Sequence, residues 1–144
     1  MVKENFSLLK SQSENKKQDL VISVPDPCIA FADETMINTV LRNLLSNAVK
    51  FTPHGGTIMV SASEINNYVE ISVTDTGVGI PENKLESIFR IDSKLSTPGT
   101  DKETGTGLGL ILCKEFVEKN NGKITMTSTP GKGSTFSFKI PVGY

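Results

Sequence analysis

Hydrophobic and polar positions along the chain change period several times, and each change marks an element. Residues 1–19 carry little pattern. Lys, Glu, Gln and Asn dominate, with Phe6, Leu8 and Leu9 as the apolar cluster. This stretch reads as a linker, or the end of something upstream, rather than a core element. Residues 20–24 read as a short strand, Pro25-Asp26-Pro27 as a turn, and residues 28–31 as a second brief strand. Asp33 suits an N-cap, with Glu34 in the first turn of a helix reaching about Lys50. Ile37, Leu41, Leu44, Leu45 and Ala48 recur at helical spacing and mark its buried face. Pro53-His54-Gly55-Gly56 stops it. Strict alternation then predicts strands over Thr57–Ile65 and Tyr68–Asp75, with Asn66-Asn67 as a tight turn between them.

The second half begins with a glycine-rich loop over residues 76–81, and a short helix is expected over 82–89. Residues 91–107 are rich in Ser, Thr, Gly and Pro and lack any period. A structureless loop of that length inside a small domain is usually functional or mobile. A second long helix over about 108–120 ends at Asn121-Gly122, and strands over 123–128 and 134–140 close the chain. Adjacent hairpins with intervening helices predict an α/β (α+β) two-layer sandwich. Its sheet is mixed and largely antiparallel, with helices on one face only.

Composition narrows the function classes. A chain of 144 residues is long enough for one domain with its own core. Fifteen Lys and Arg stand against sixteen Asp and Glu, a net charge of −1. That balance lacks the basic excess of a nucleic-acid binder. Two cysteines, Cys28 and Cys113, cannot form a disulfide framework and fit a reducing compartment. No apolar run approaches the roughly 18 residues of a membrane span, and the first ten residues lack a signal-peptide core. The chain holds a single histidine, His54.

Three constellations carry candidate chemistry. Asn43 and Asn47 are four apart and share a helix face, which Lys50 continues. Two amides and an ammonium could be a solvated polar face. They could also offer oxygen ligands to a hard cation and a charge to a phosphate. Asn is a weak helix former, so two beside an apolar face need a reason. Asp75 continues the apolar set Val69, Ile71 and Val73, so its carboxylate points to the covered face and needs a partner or a pocket. It could accept from an exocyclic amine and a water, or simply initiate the Thr76-Gly77 turn. Two glycine clusters follow, Gly77-Val78-Gly79 and Gly105-Thr106-Gly107-Leu108-Gly109, the latter before a helix whose N-terminal amides suit an anion. The second cluster fits neither the G-x-G-x-x-G fingerprint nor the Walker A pattern.

The segment Asn43-Leu-Leu-Ser-Asn47-Ala-Val-Lys50-Phe51-Thr52-Pro53 resembles the N box of sensor histidine kinases. Asp75-Thr-Gly77-Val-Gly79-Ile80 resembles their G1 box and Gly105-Thr-Gly107-Leu-Gly109-Leu110 their G2 box. Gly131-Lys-Gly133-Ser134-Thr-Phe136 and Ile140-Pro141 also match, so the likeness covers about residues 20–142. It implies a Bergerat ATP-binding fold, a mixed sheet backed by three helices, shared with gyrase, Hsp90 and MutL. It further implies that residues 20–144 form the ATP-binding catalytic domain and that 1–19 end an upstream dimerisation region. Asn47 would bind the Mg²⁺ that bridges the ATP phosphates, with Asn43 assisting. Lys50 would contact phosphate and Phe51 would pack on adenine or ribose. Asp75 would accept the adenine amino hydrogen, and Gly77, Gly79 and Ile80 would line the base. Gly105, Thr106, Gly107, Leu108 and Gly109 would close a lid over the phosphates, and Ser134 would hold a water beside the adenine. The segment Ile88-Phe89-Arg90-Ile91 carries one phenylalanine where many relatives carry two, and 96–100 resemble a variant lid.

The resemblance also bears on the reaction. Hydrolases of the superfamily use Glu-x-x-x-Asn, in which the Glu activates water. Here the position four before Asn47 is Asn43, and a neutral amide cannot serve as a general base. A standalone ATPase is thereby disfavoured, and the intact motifs make a degenerate binding module the least favoured reading. A histidine kinase needs no such base on this domain, because a neutral imidazole is already nucleophilic. His54 lies in a loop without the phosphoacceptor motif of the family and reads as an ordinary loop histidine. The expectation is a catalytic domain with no catalytic residue of its own. It would transfer the γ-phosphate of ATP to a histidine on the parent's dimerisation helices, which then serve a response regulator receiver domain. Localisation would be cytoplasmic, with a parent that can be membrane-anchored. Neither nucleic acid nor membrane contact by this domain is expected.

Overall fold

The computed structural model describes residues 2–24, 30–79 and 109–142. In chain order these form α1 (Val2–Asn15), β1 (Asp19–Ser23), α2 (Glu34–Phe51), β2 (Thr57–Ile65), β3 (Tyr68–Asp75), α3 (Gly109–Lys119), β4 (Lys123–Thr129) and β5 (Gly133–Pro141). The strands make one five-stranded sheet in the order β1-β2-β3-β5-β4. The β1–β2 pair is parallel and the other three pairs are antiparallel. Helices and sheet form the two expected layers. The helix expected over 82–89, the loop over 91–107 and residues 28 and 29 lie outside the described residues; Ala30 makes an isolated bridge to Val142.

Alternation decides which sheet face is covered. Ile58, Val60, Val73, Phe136, Phe138 and Ile140 point inward and are buried. They meet Val40, Leu41, Leu44, Leu45, Ala48 and Val49 of α2 and Cys113 and Val117 of α3 in one core. Truncating a fully buried leucine such as Leu44 costs about 2–5 kcal/mol through lost transfer energy and the cavity left behind. The outer face is mostly polar, with Val21, Met59, Ile65 and Tyr68 as apolar members. Ser61, Ser72, Ser137 and Thr125 stand in register across four strands. The Ser72 and Ser137 hydroxyls are 2.8 Å apart, and Thr135 Oγ1 donates to Thr74 Oγ1 at 3.2 Å.

Local chemistry sets the helix ends. Asp33 accepts from the Met36 amide through its side chain at 2.9 Å, the expected N-cap. Asn120, at the far end of α3, accepts from the Asp33 amide at 2.6 Å and so ties α3 to the start of α2. Asn66 and Asn67 both take positive φ, 51° and 67°, as a two-residue hairpin turn with the sheet's twist requires.

The N-terminal segment departs from its sequence reading. Val2–Asn15 is helical and packs on α2, with Leu9 in the core. Polar side chains do most of the burial there: Asn5, Ser13, Lys16 and Gln18 are all buried. Asn5 Nδ2 donates to Asn38 Oδ1 at 2.8 Å. An interface built from amides and an ammonium leaves no hydrophobic period, so the pattern along the sequence could not show it.

Candidate functional site

One end of the inner sheet face, beside Ile58, turns polar at the margin of an otherwise apolar layer. Ile58, Asp75, Ser134 and Ser128 are cross-strand neighbours there. Asp75 is buried, as the alternation of β3 dictates. Its Oδ1 accepts from the Gly77 amide at 2.9 Å and from the Ser134 amide at 3.3 Å. Burial pushes its carboxyl above the usual aspartate range, and these two amides oppose that shift. Among the described residues both hydrogen bonds fall on Oδ1. The Ser134 hydroxyl lies 2.9 Å from that of Ser128. An open cleft of about 270 Å³ borders the row and is lined by Thr74, Asp75, Ser128, Lys132 and Ser134 among others. Neither Asn43 nor Asn47 lines it.

The glycines after Asp75 bring backbones together. A Cβ on Gly77 would sit 2.5 Å from Phe51 O, so only glycine lets the loop lie against the end of α2. The Val78 amide donates to Phe51 O at 3.2 Å, and Val78 O accepts from the Gly131 amide at 2.8 Å. Gly79 has φ +73° and lies against the backbone of Thr129. Gly133, at φ +129°, passes so close to Asp75 O that a side chain has no room.

A second cluster lies on α2 and α3. Asn43 and Asn47 are half-buried on one face of α2. A Cβ on Gly109 would meet Asn43 Cγ at 3.7 Å, so the start of α3 faces Asn43. Cys113, one turn further, is also bonded to the Asn43 side chain and is pushed up to about 12, mainly by burial. Its thiol reaches Val40 O at 3.8 Å and is an inert core group. Lys50 Nζ stands 5.0 Å from the centroid of the Phe51 ring, within cation–π range. Two amide oxygens suit a hard cation that keeps most of its waters. Among the described residues no group of three His, Cys, Asp or Glu side chains gathers to hold a metal.

The structure therefore brings Phe51, Asp75, Gly77 and Ser134 together, and separately Asn43 with Gly109. Ile80, Gly105, Thr106, Gly107 and Leu108 lie outside the described residues. Sequence reasoning missed Ser128, which has no motif signal, and the roles of the Phe51 and Val78 backbones, which side-chain identity does not encode.

Residues 32–144 match the family described as histidine kinase-, DNA gyrase B-, and HSP90-like ATPase. The catalytic domain of the histidine kinase ThkA, in a nucleotide-free form, superposes with a TM-score of 0.82 at 31% identity. The match covers 98% of this chain and 90% of that one. The chain belongs to the histidine kinase catalytic domains. It is also 38% identical over 144 residues to the adaptive-response sensory kinase SasA of Synechococcus elongatus, a match spanning 99% of this chain and 37% of that kinase. Full-length ShkA in complex with AMPPNP gives a TM-score of 0.82 at 28% identity, over 99% of this chain and 29% of that one. ThkA in complex with the response regulator TrrA gives 0.78 at 28%, over 99% and 39%. This histidine kinase domain thus belongs to an ATP-binding family. No helix among its described residues is long and apolar enough to cross a membrane.

Proposed function

We propose that this domain binds Mg-ATP and delivers its γ-phosphate to a histidine on the dimerisation helices of a parent sensor kinase. The observation that carries the reading is Asp75, a buried carboxylate at the end of β3 whose Oδ1 is occupied by two backbone amides. Oδ2 is then the acceptor for the adenine amino hydrogen. A carboxylate kept in a covered layer needs such a partner. Gly77, Gly79 and Ile80 border the base, Ser134 holds a water beside it, and Phe51 packs on adenine or ribose.

Asn47 and Asn43 would hold the Mg²⁺, which supplies charge neutralisation across the phosphates. Lys50 contacts a phosphate oxygen. Gly105, Thr106, Gly107, Leu108 and Gly109 close over the phosphates, Gly109 being the one already set against Asn43. With an amide at position 43 the domain lacks a base for water, so it positions rather than hydrolyses. The neutral imidazole of the parent attacks the γ-phosphorus, the bond to the β-phosphate oxygen breaks, and ADP departs; positioning and charge stabilisation are the whole contribution of this domain. Residues 1–19, whose helix α1 packs on α2, lead from the upstream dimerisation region into the catalytic domain of residues 20–144, and the phosphohistidine passes its group to a response regulator receiver domain. The domain works in the cytoplasm.

Calorimetric titration with AMPPNP, with and without Mg²⁺, tests the binding half. Labelled ATP with an added dimerisation domain tests transfer. Saturable Mg-dependent binding and a labelled histidine are expected; no heat of binding to the folded chain sinks the reading.

A further inference from the structure

The end of α2 is held from two sides. In front, the G1 loop donates the Val78 amide to Phe51 O. Behind, the elbow between α1 and β1 supplies two buried side chains. Lys16 Nζ donates to Val49 O at 3.0 Å and to Lys50 O at 3.2 Å. Gln18 Nε2 bridges Val49 O at 3.1 Å and Thr52 O at 2.7 Å. These are carbonyls of the last helical turn and its cap, which α2 cannot satisfy internally. An ammonium there also meets the negative end of the helix dipole. The Gly55 amide donates back to Lys16 O at 2.9 Å, and the Asp19 amide donates to Gly56 O at 2.9 Å.

The elbow is itself fixed. Lys17 takes φ 51°, a left-handed conformation unfavourable for a residue with a Cβ. The Gln18 amide closes back on Ser13 O at 3.0 Å, and Lys17 on Glu14 O at 3.0 Å, the pattern of a Schellman-type helix end. The strained residue thus turns Lys16 and Gln18, on either side of it, toward α2. The segment they grip holds Lys50 and Phe51.

We propose that Lys16 and Gln18 are positioning residues for the nucleotide site, and that through them the seating of α1 on α2 sets nucleotide affinity. The inference rests on the nucleotide reading above. It runs through a continuous chain of bonds: elbow side chains to the Val49, Lys50 and Thr52 carbonyls, Phe51 O to the Val78 amide, and Val78 O to the Gly131 amide. By linkage, a nucleotide that orders the Lys50–Phe51 segment tightens α1 by the same factor.

The test uses the chain with AMPPNP and Mg²⁺, well below its unfolding midpoint. Titration of the unmodified chain checks the nucleotide reading by itself. Lys16→Met and Gln18→Met are expected to weaken AMPPNP by at least about fivefold and to shift the backbone amide resonances of Val78 and Gly131. Lys10→Met is the control, because Lys10 is an exposed α1 residue facing Glu14 at 3.8 Å; it is expected to move neither. If Lys16→Met does not fold, Gln18→Met, which keeps the buried ammonium, carries the same two readouts. A folded Gln18→Met chain with unchanged affinity and unshifted Val78 overturns the coupling while leaving the nucleotide reading intact. An unmodified chain that binds no AMPPNP overturns both.

Discussion

The two ends of β3 are built on the same alternation and do different things. At Tyr68 the strand leaves a two-asparagine turn, the Tyr68 side chain is exposed, and the backbone pairs with β2 and β5. At Asp75 the strand runs into a loop where three backbones approach within contact distance and a carboxylate is buried. The turn end uses residues that many sequences could replace. The Asp75 end accepts a desolvated charge and positions only glycine can fill, features that weaken a fold and that packing alone does not call for. On the proposed reading, the difference marks where a strand stops serving the sheet and starts serving a nucleotide.

The comparison breaks most sharply at Gly133. A methyl there would overlap Asp75 O at a φ that L residues rarely adopt. Gly133→Ala is expected to cost about 3 kcal/mol or more, read as a fall in the urea midpoint; a neutral result means the crowding is not real. Asp75→Asn comes next. The amide keeps an oxygen for the Gly77 and Ser134 amides but offers a donor where the ligand needs an acceptor. Nucleotide affinity should drop about a hundredfold without loss of fold.

The same variant has a pH signature. Burial raises the folded pKa of Asp75, so the folded state binds the proton more tightly than the unfolded chain. Its contribution to stability is full below the ordinary aspartate value of 3.8 and declines as pH rises through the higher folded value. Asp75→Asn should remove that decline and unfold at an equal or higher temperature at pH 7. A lower midpoint at pH 7 than at pH 4, relative to the unmodified chain, would falsify the desolvation account.

Asn47→Ala is expected to weaken AMPPNP about tenfold in Mg²⁺ and to change little in a chelator; equal losses in both conditions would remove Asn47 from the cation. The smallest effect belongs to the other end of the strand. Asn67→Gly should alter stability by about 0.5 kcal/mol or less, measured by thermal unfolding, and leave nucleotide titrations untouched.

These contrasts also explain what the sequence could disclose. The boundaries of β2 and β3 were legible to the residue, because a half-buried strand must alternate and Asn66-Asn67 can take left-handed backbone. The amphipathic α2 and its Asp33 cap were legible for the same kind of reason. Asp75 stood out because it broke the apolar set it continued. By contrast, α1 was hidden: beside Leu9 its buried positions are the polar Asn5 and Ser13, followed by Lys16 and Gln18 gripping carbonyls, and hydrophobicity has no period for such bonds. The parallel pairing of β1 with β2 was likewise invisible, since it is set by a register between distant segments. Within the site, residue identities named Asn43, Asn47 and Asp75, while the Phe51 and Val78 backbone contacts needed coordinates.

The outer face of the sheet has a consequence for motion. Hydroxyls in register over four strands hydrate well, although Val21, Ile65 and Tyr68 leave apolar surface exposed on the same face. A hydroxyl row of this kind demands no second layer of helices. On the transfer reading proposed above, a domain that has to reach a histidine held elsewhere can keep this row of hydroxyls in water as it moves.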